Sequence, residues 1–117
     1  MLSIFGKAVR KLRIDRGDSL KAMAQALDKT SAYISAVETG KKNATDSLVR
    51  GIAEYYSLTP EQIEALKLAA VESRSEIVIA KDGLNDLQRK VAASLAIRFS
   101  SLTDEELNQI LKLLNQK

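Results

Sequence analysis

The chain has 117 residues, of which 45% are hydrophobic and 28% charged, and its formal net charge is +3. This length suits one compact domain with a short appendage, and a 4% aromatic content with a single proline favours an all-helical fold. Cysteine and histidine are both absent, which excludes disulfides, the usual zinc ligand sets and most acid–base catalysts. Since no nucleophile motif or phosphate-binding glycine loop occurs either, we expect no enzyme, no metal and no cofactor.

Charge and hydropathy patterns predict a cytoplasmic protein whose N-terminal half is basic. Uncharged apolar runs such as residues 77–80 are far shorter than the roughly 20 residues of a membrane helix. Charges interrupt the apolar residues of segment 1–13, unlike those of a secretory signal. Residues 1–57 carry ten Lys or Arg against six Asp or Glu, whereas residues 58–117 carry eight against nine. A local excess of positive charge favours nucleic acid as the partner, whereas the asymmetry taken alone is more often an ordinary solvated surface.

The first three predicted helices suggest a helix-turn-helix. Three segments have the apolar periodicity of a helix: residues 4–16, the segment that Ser19 caps and the segment that Thr30 caps. Gly17 is expected to end the first helix and Gly40 the third. A turn at 28–29 separates the second helix from the third. This is the layout in which the helix after the turn can lie in the DNA major groove.

Two further helices complete the predicted N-terminal domain. A fourth helix is expected over 46–56, and Thr59, Pro60 and Gln62 form a capping box with proline at the first position of a fifth helix that ends near Ser73. We therefore predict a DNA-binding domain over residues 1–73 and a dimerisation region over residues 74–117.

A β-branched run follows the fifth helix. The segment Glu76, Ile77, Val78, Ile79, Ala80 is predicted to be a short strand before the turn-like residues 81–83. The chain offers no second strand candidate, so the segment would pair with its own copy across a two-fold axis. The alternative is an irregular linker or an extension of the preceding helix.

The C-terminal pattern predicts a helical hairpin over 84–99 and 104–115, the second helix beginning with a capping box from Thr103 to Glu106. The apolar faces of these two helices must pack against something, either the DNA-binding domain or a second subunit. We favour the second subunit, because bound dimers place two recognition helices one DNA turn, about 34 Å, apart. The dimerisation candidates outside 76–80 are Leu95, Phe99, Leu107, Ile110, Leu111 and Leu114.

Residues 1–72 resemble the Cro/CI-type helix-turn-helix family, also called the XRE family. Segments 5–13, 23–24, 33–42 and 58–61 match that family's first helix, second helix, third helix with the following loop, and start of the fifth helix. The resemblance implies a lambda-repressor-like five-helix domain within an all-α chain. Segment 75–117 matches no pattern of this kind.

The resemblance assigns roles to individual residues. Arg13 and Glu38 match a buried ion pair that joins the first and third helices. The positions that read bases in the family are occupied by Thr30, Ser31, Ala32, Ser35 and Ala36. Their short side chains allow no bidentate base contact, which indicates an A/T-rich operator read partly through DNA shape. The phosphate-contact candidates are Ser19, Lys29, Tyr33, Thr39, Lys41, Lys42 and Asn43.

Two of these assignments have alternatives that the sequence leaves open. Lys29 stands where the family has a buried valine, so it either reaches toward DNA or faces solvent. Tyr33 either packs on the turn or meets the DNA backbone.

The leading functional hypothesis is a homodimeric transcriptional regulator, in particular a repressor, that binds an inverted repeat in double-stranded DNA through the helix at 31–38. One alternative is an antitoxin whose tail binds a toxin while its N-terminal domain regulates its own operon. Another is a protein-interaction adaptor that has lost DNA binding. Control could come from a protein partner such as a toxin or an antirepressor, and no membrane partner is expected.

Overall fold

The computed structural model describes residues 1–116, which form seven α-helices, one short 3-10 helix and no strand. The helices are α1 (Ile4–Asp15), α2 (Leu20–Ala26), α3 (Ser31–Glu38), α4 (Asp46–Tyr55), α5 (Pro60–Glu72), α6 (Asp86–Arg98) and α7 (Asp104–Asn115), and the 3-10 helix covers Phe99–Ser101. The all-α class predicted from the sequence is confirmed over this range. The chain divides into two compact units, Met1–Ile77 and Val78–Lys117.

Side-chain caps begin all five helices of the first unit. Each cap is a Ser or Thr whose oxygen accepts a hydrogen bond from a backbone N–H three residues ahead, which satisfies a donor that the helix itself leaves free. The capping residues are Ser3, Ser19, Thr30, Thr45 and Thr59. Gly17 and Gly40 follow α1 and α3 with φ of +64° and +80°, the left-handed backbone that glycine adopts without steric penalty.

The core of the first unit fixes the direction of α3. Its largest fully buried side chains come from four helices: Phe5, Val9, Met23, Ile34 and Ile52. Each such side chain contributes about 1.5–3 kcal/mol through burial. Helix α1 packs against α3 and α5, α2 packs against α3, and α4 packs against α5. Because Ile34 and Val37 on α3 point into this core, the opposite side of α3 faces outward.

The two residues that follow α5, Ser73 and Arg74, are hydrogen-bonded to other parts of the first unit. The Phe5 N–H donates to Ser73 Oγ at 2.9 Å, and Ser73 Oγ donates to the Ala69 carbonyl at 2.8 Å. Arg74 Nη2 donates to the Ala44 carbonyl at 3.0 Å, in the connection between α3 and α4. The compact N-terminal fold therefore includes residues that follow its last helix.

The second unit contains α6, the 3-10 helix and α7, and none of residues 78–116 is buried. Helix α6 begins at Asp86 and not at Leu84, because Asn85 and Gln88 form a reciprocal capping box. The capping box predicted from Thr103 to Glu106 is present at the start of α7. Helix α6 makes its main contacts with the 3-10 helix and does not pack along α7, so a closely packed hairpin is not observed.

Segment 76–80 has no regular structure in this single chain, and all five of its residues are exposed. The strand predicted there is not present, because a strand is defined by a hydrogen-bonded neighbour and residues 1–116 provide none.

No helix within the described range is both long and apolar enough to cross a membrane. Over the same residues, no cluster of three or more acidic side chains is arranged to hold a metal ion.

Candidate nucleic-acid interface

Backbone hydrogen bonds fix the turn between α2 and α3. The Asp28 N–H donates to the Gln25 carbonyl at 3.1 Å, and the Lys29 N–H donates to the Ala24 carbonyl at 2.8 Å. Asp28 itself has φ of +57°, a left-handed conformation that aspartate tolerates better than most residues do. Thr30 Oγ1 then accepts from the Tyr33 N–H at 3.0 Å and starts α3. The direction of α3 relative to α2 is therefore set by local structure as well as by the core.

The five base-reading candidates lie on or beside the outward side of α3. Thr30, Ala32 and Ser35 are exposed, whereas Ser31 and Ala36 are partly exposed. No side chain in this set carries an amide or a guanidinium group, so direct readout would use single hydrogen bonds from hydroxyls and methyl contacts to thymine.

The connection after α3 presents cations on a fixed backbone. The Gly40 N–H donates to the Val37 carbonyl at 3.1 Å, and the Lys41 N–H donates to the Ala36 carbonyl at 2.9 Å. Lys41, Lys42 and Asn43 are exposed. The backbone that carries Lys41 and Lys42 is therefore held against the C-terminal end of α3.

The hydroxyls of Ser19, Thr30 and Thr39 differ in whether they can donate to a phosphate. Ser19 and Thr30 use an oxygen lone pair to accept a backbone N–H, at 3.0 Å in both cases, which leaves the hydroxyl proton free. The Thr39 hydroxyl donates to the Ser35 carbonyl at 3.0 Å and lies 3.3 Å from the Ala36 carbonyl. Thr39 is therefore the poorest phosphate donor of the three.

Tyr33 is partly buried and packs against the hydrophobic core of the first unit. Two ammonium groups lie over its ring, Lys29 Nζ at 5.6 Å from the ring centroid and Lys42 Nζ at 5.8 Å. The ring thus packs within the first unit, and contact between Tyr33 and the DNA backbone stays a prediction. Lys29 is exposed and lies close to this aromatic ring.

The Arg13 guanidinium and the Glu38 carboxylate form a buried ion pair between α1 and α3, with residue exposures of 8% and 5%. Glu38 is held at its backbone too, because its carbonyl accepts from the Ser3 N–H at 2.9 Å and from Ser3 Oγ at 3.1 Å. The C-terminal end of α3 is thus attached to the start and to the end of α1. This arrangement orients α3 and leaves neither partner accessible to DNA.

Asp18 connects the start of α2 to α4 through contacts that the sequence analysis missed. Its Oδ2 accepts from the Tyr55 hydroxyl at 2.8 Å and from the Tyr56 hydroxyl at 3.0 Å. The hydrogen bond to Asp18 raises the pKa of Tyr55. The pKa of Tyr56 is raised mainly by burial and secondarily by the hydrogen bond to the same carboxylate. Asp18 directly precedes the cap Ser19, so the network supports the entry to the helix-turn-helix. These contacts span 37 and 38 positions, and no local pattern signals them.

The dimerisation candidates lie at the end of the first unit and in the second unit, and many of them are solvent-exposed. Phe99, Leu111 and Leu114 expose more than half of their surface, and Leu95, Leu107 and Ile110 are partly exposed. Leu87, Val91 and Ile97 on α6 add exposed apolar surface.

Comparison with known proteins identifies the first unit. A family model described as a helix-turn-helix domain matches residues 4–66, from the first residue of α1 into α5, which is more than half of the chain. No curated protein and no solved structure matches the chain. The match includes α2, the turn and α3, together with the flanking helices that hold α3 in place. The chain therefore belongs to the helix-turn-helix family of the Cro/CI (XRE) type.

Proposed function

We propose that the chain is a sequence-specific transcriptional regulator that inserts α3 into the major groove of double-stranded DNA. The observation that carries the proposal is the outward side of α3, which has short polar and apolar side chains and is flanked by exposed lysines on a fixed loop. The family match supports a DNA-binding role for this helix. The short side chains favour an A/T-rich operator that is read partly through its shape.

The lysines of the loop after α3 provide the sharpest test. Replacing Lys41 and Lys42 together by alanine removes two phosphate contacts, so the slope of log K against log salt should become shallower by about two. The DNA would be a fragment that the wild-type chain selects from genomic DNA, and binding would be measured by fluorescence anisotropy across a salt series.

A matched control is the double variant Lys67→Ala with Lys81→Ala, which removes the same charge from segments outside α2 and α3. Its salt dependence should equal that of the wild type. An unchanged slope in the Lys41 and Lys42 variant would contradict the phosphate assignment, and no salt-dependent binding by the wild type would favour the adaptor hypothesis.

We further propose that the protein acts as a homodimer, in particular as a repressor that occupies an inverted repeat. The support is the second unit, in which residues 78–116 bury no side chain although α6 and α7 carry several exposed aliphatic residues. Helices of this length are marginal in water without packing, so this surface needs a cover. A second copy could cover it and also pair segment 76–80 with its counterpart across the two-fold axis.

Solution mass tests the dimer directly. The wild-type chain should have the mass of two subunits by light scattering, and Leu111→Asn with Leu114→Asn should reduce the mass to one subunit. The control Gln109→Asn with Lys112→Asn changes polar positions of the same helix and should remain a dimer. A monomer whose tail becomes helical only when a second protein is added would instead favour the antitoxin hypothesis.

A further inference from the structure

The ring of Tyr33 lies close to the ammonium groups of two exposed lysines. Its backbone N–H is held by the Thr30 cap at 3.0 Å, and its side chain packs against the hydrophobic core of the first unit. Lys29 comes from the turn before α3 and Lys42 from the loop after it, and both side chains are exposed. One partly buried residue of α3 therefore contacts the cations on both flanking segments.

The electrostatics of this group favour the ring as the partner of the two lysines. The face of an aromatic ring is electron-rich and attracts ammonium groups within about 6 Å of its centroid. Both Nζ distances, 5.6 Å and 5.8 Å, fall in this range. The ion pairs found within residues 1–116 include neither Lys29 nor Lys42, so neither ammonium group is paired with a carboxylate there.

We propose that Tyr33 is a positioning residue that holds Lys29 and Lys42 beside the start of α3, ready for contact with DNA phosphates. This inference rests on the proposed function. A free lysine side chain loses considerable rotamer freedom when it binds a phosphate, whereas one already confined by the ring loses less. The ring thus raises affinity through lysines that it organises, without a contact of its own to DNA.

The positioning can be tested in the free protein, which separates it from DNA binding. A methylene group beside an aromatic face has its proton resonance shifted upfield by the ring current. We expect this shift for the ε-methylenes of Lys29 and Lys42, its retention in Tyr33→Phe and its loss in Tyr33→Leu. Lys41 is exposed and neighbours Lys42 in the chain, and its ε-methylene should resonate as in an unstructured peptide.

A double-mutant cycle then tests the effect on DNA binding. At fixed salt, Tyr33→Leu should weaken binding about three- to tenfold, whereas Tyr33→Phe should bind as the wild type does. In a background with Lys29→Met and Lys42→Met, Tyr33→Leu should have no further effect on affinity. A residue with a purely structural role would weaken binding equally in both backgrounds, and melting temperatures of all variants would show such a role independently.

The outcomes distinguish the two levels of proposal. DNA binding without upfield-shifted lysine resonances, or an affinity loss in Tyr33→Phe, overturns the role of the ring and leaves the regulator proposal standing. Upfield-shifted resonances without any DNA binding would overturn the regulator proposal and the role assigned to these lysines in DNA contact. Retained shifts together with an effect of Tyr33→Leu that vanishes in the lysine-deficient background support the inference.

Discussion

Replacing Glu38 by alanine should lower the free energy of unfolding by about 3–5 kcal/mol, because the Arg13 guanidinium would remain buried without a counter-charge. The variant also loses the side-chain link between α1 and α3, whereas the hydrogen bonds from Ser3 to the backbone carbonyl of residue 38 remain. For a unit of this size the melting temperature should fall by more than about 10 °C, measured by circular dichroism without DNA.

Two comparisons make this expectation specific to the buried pair. Asp15→Ala breaks the exposed pair in which Lys11 Nζ and Asp15 Oδ2 lie 3.0 Å apart, and it should change stability by less than about 1 kcal/mol. The double variant Arg13→Met with Glu38→Leu removes both charges and should be more stable than Glu38→Ala. An unchanged melting temperature in Glu38→Ala would rule out a structural role for the pair.

Replacing Gly6 by alanine should have a comparable effect through sterics. A Cβ at position 6 would lie 1.9 Å from the carbonyl oxygen of Glu38 and 2.7 Å from its carbonyl carbon. These are backbone atoms, and Ser3 donates two hydrogen bonds to the same oxygen, so no side-chain rearrangement can relieve the clash. We expect a loss of about 3 kcal/mol or more, measured by urea denaturation.

Gly51 on α4 is the matched control for this substitution. A Cβ there would lie 3.2 Å from Leu27 Cδ2, the end of a flexible side chain. Since alanine is also the better helix former by about 1 kcal/mol, Gly51→Ala should be close to neutral. If the Gly6 and Gly51 variants had the same free energy of unfolding, α1 and α3 could move apart at no cost in stability. That result would contradict the close packing of these two helices.

Local chemistry made most of the first unit predictable from sequence. The caps at Ser19, Thr30 and Thr59 and the stops at Gly17 and Gly40 act within one turn of helix, so their sequence pattern is enough to locate helix ends. The capping box that starts α6 at Asn85 was equally local, and Gln88 three residues later is the signal that could have located it.

Long-range contacts were not predictable in the same way. The hydrogen bonds of Asp18 to two tyrosines and of Phe5 to Ser73 depend on how helices pack, and nothing near these residues in the sequence indicates their partners. The pairing of Arg13 with Glu38 was expected only because of the family resemblance. The strand expected at 76–80 is not observed, for a different reason. A β-branched run favours extended backbone, but a strand also needs a second strand to which it can hydrogen-bond.

The hydrogen bonds of Ser73 and Arg74 have a practical consequence for dissecting this protein. An expression fragment cut at residue 66, where the family match stops, would lack the acceptor for the Phe5 N–H and the cation that secures Ala44. A fragment retained through Ile77 keeps both attachments. The compact N-terminal unit is therefore longer than the segment that the family match covers.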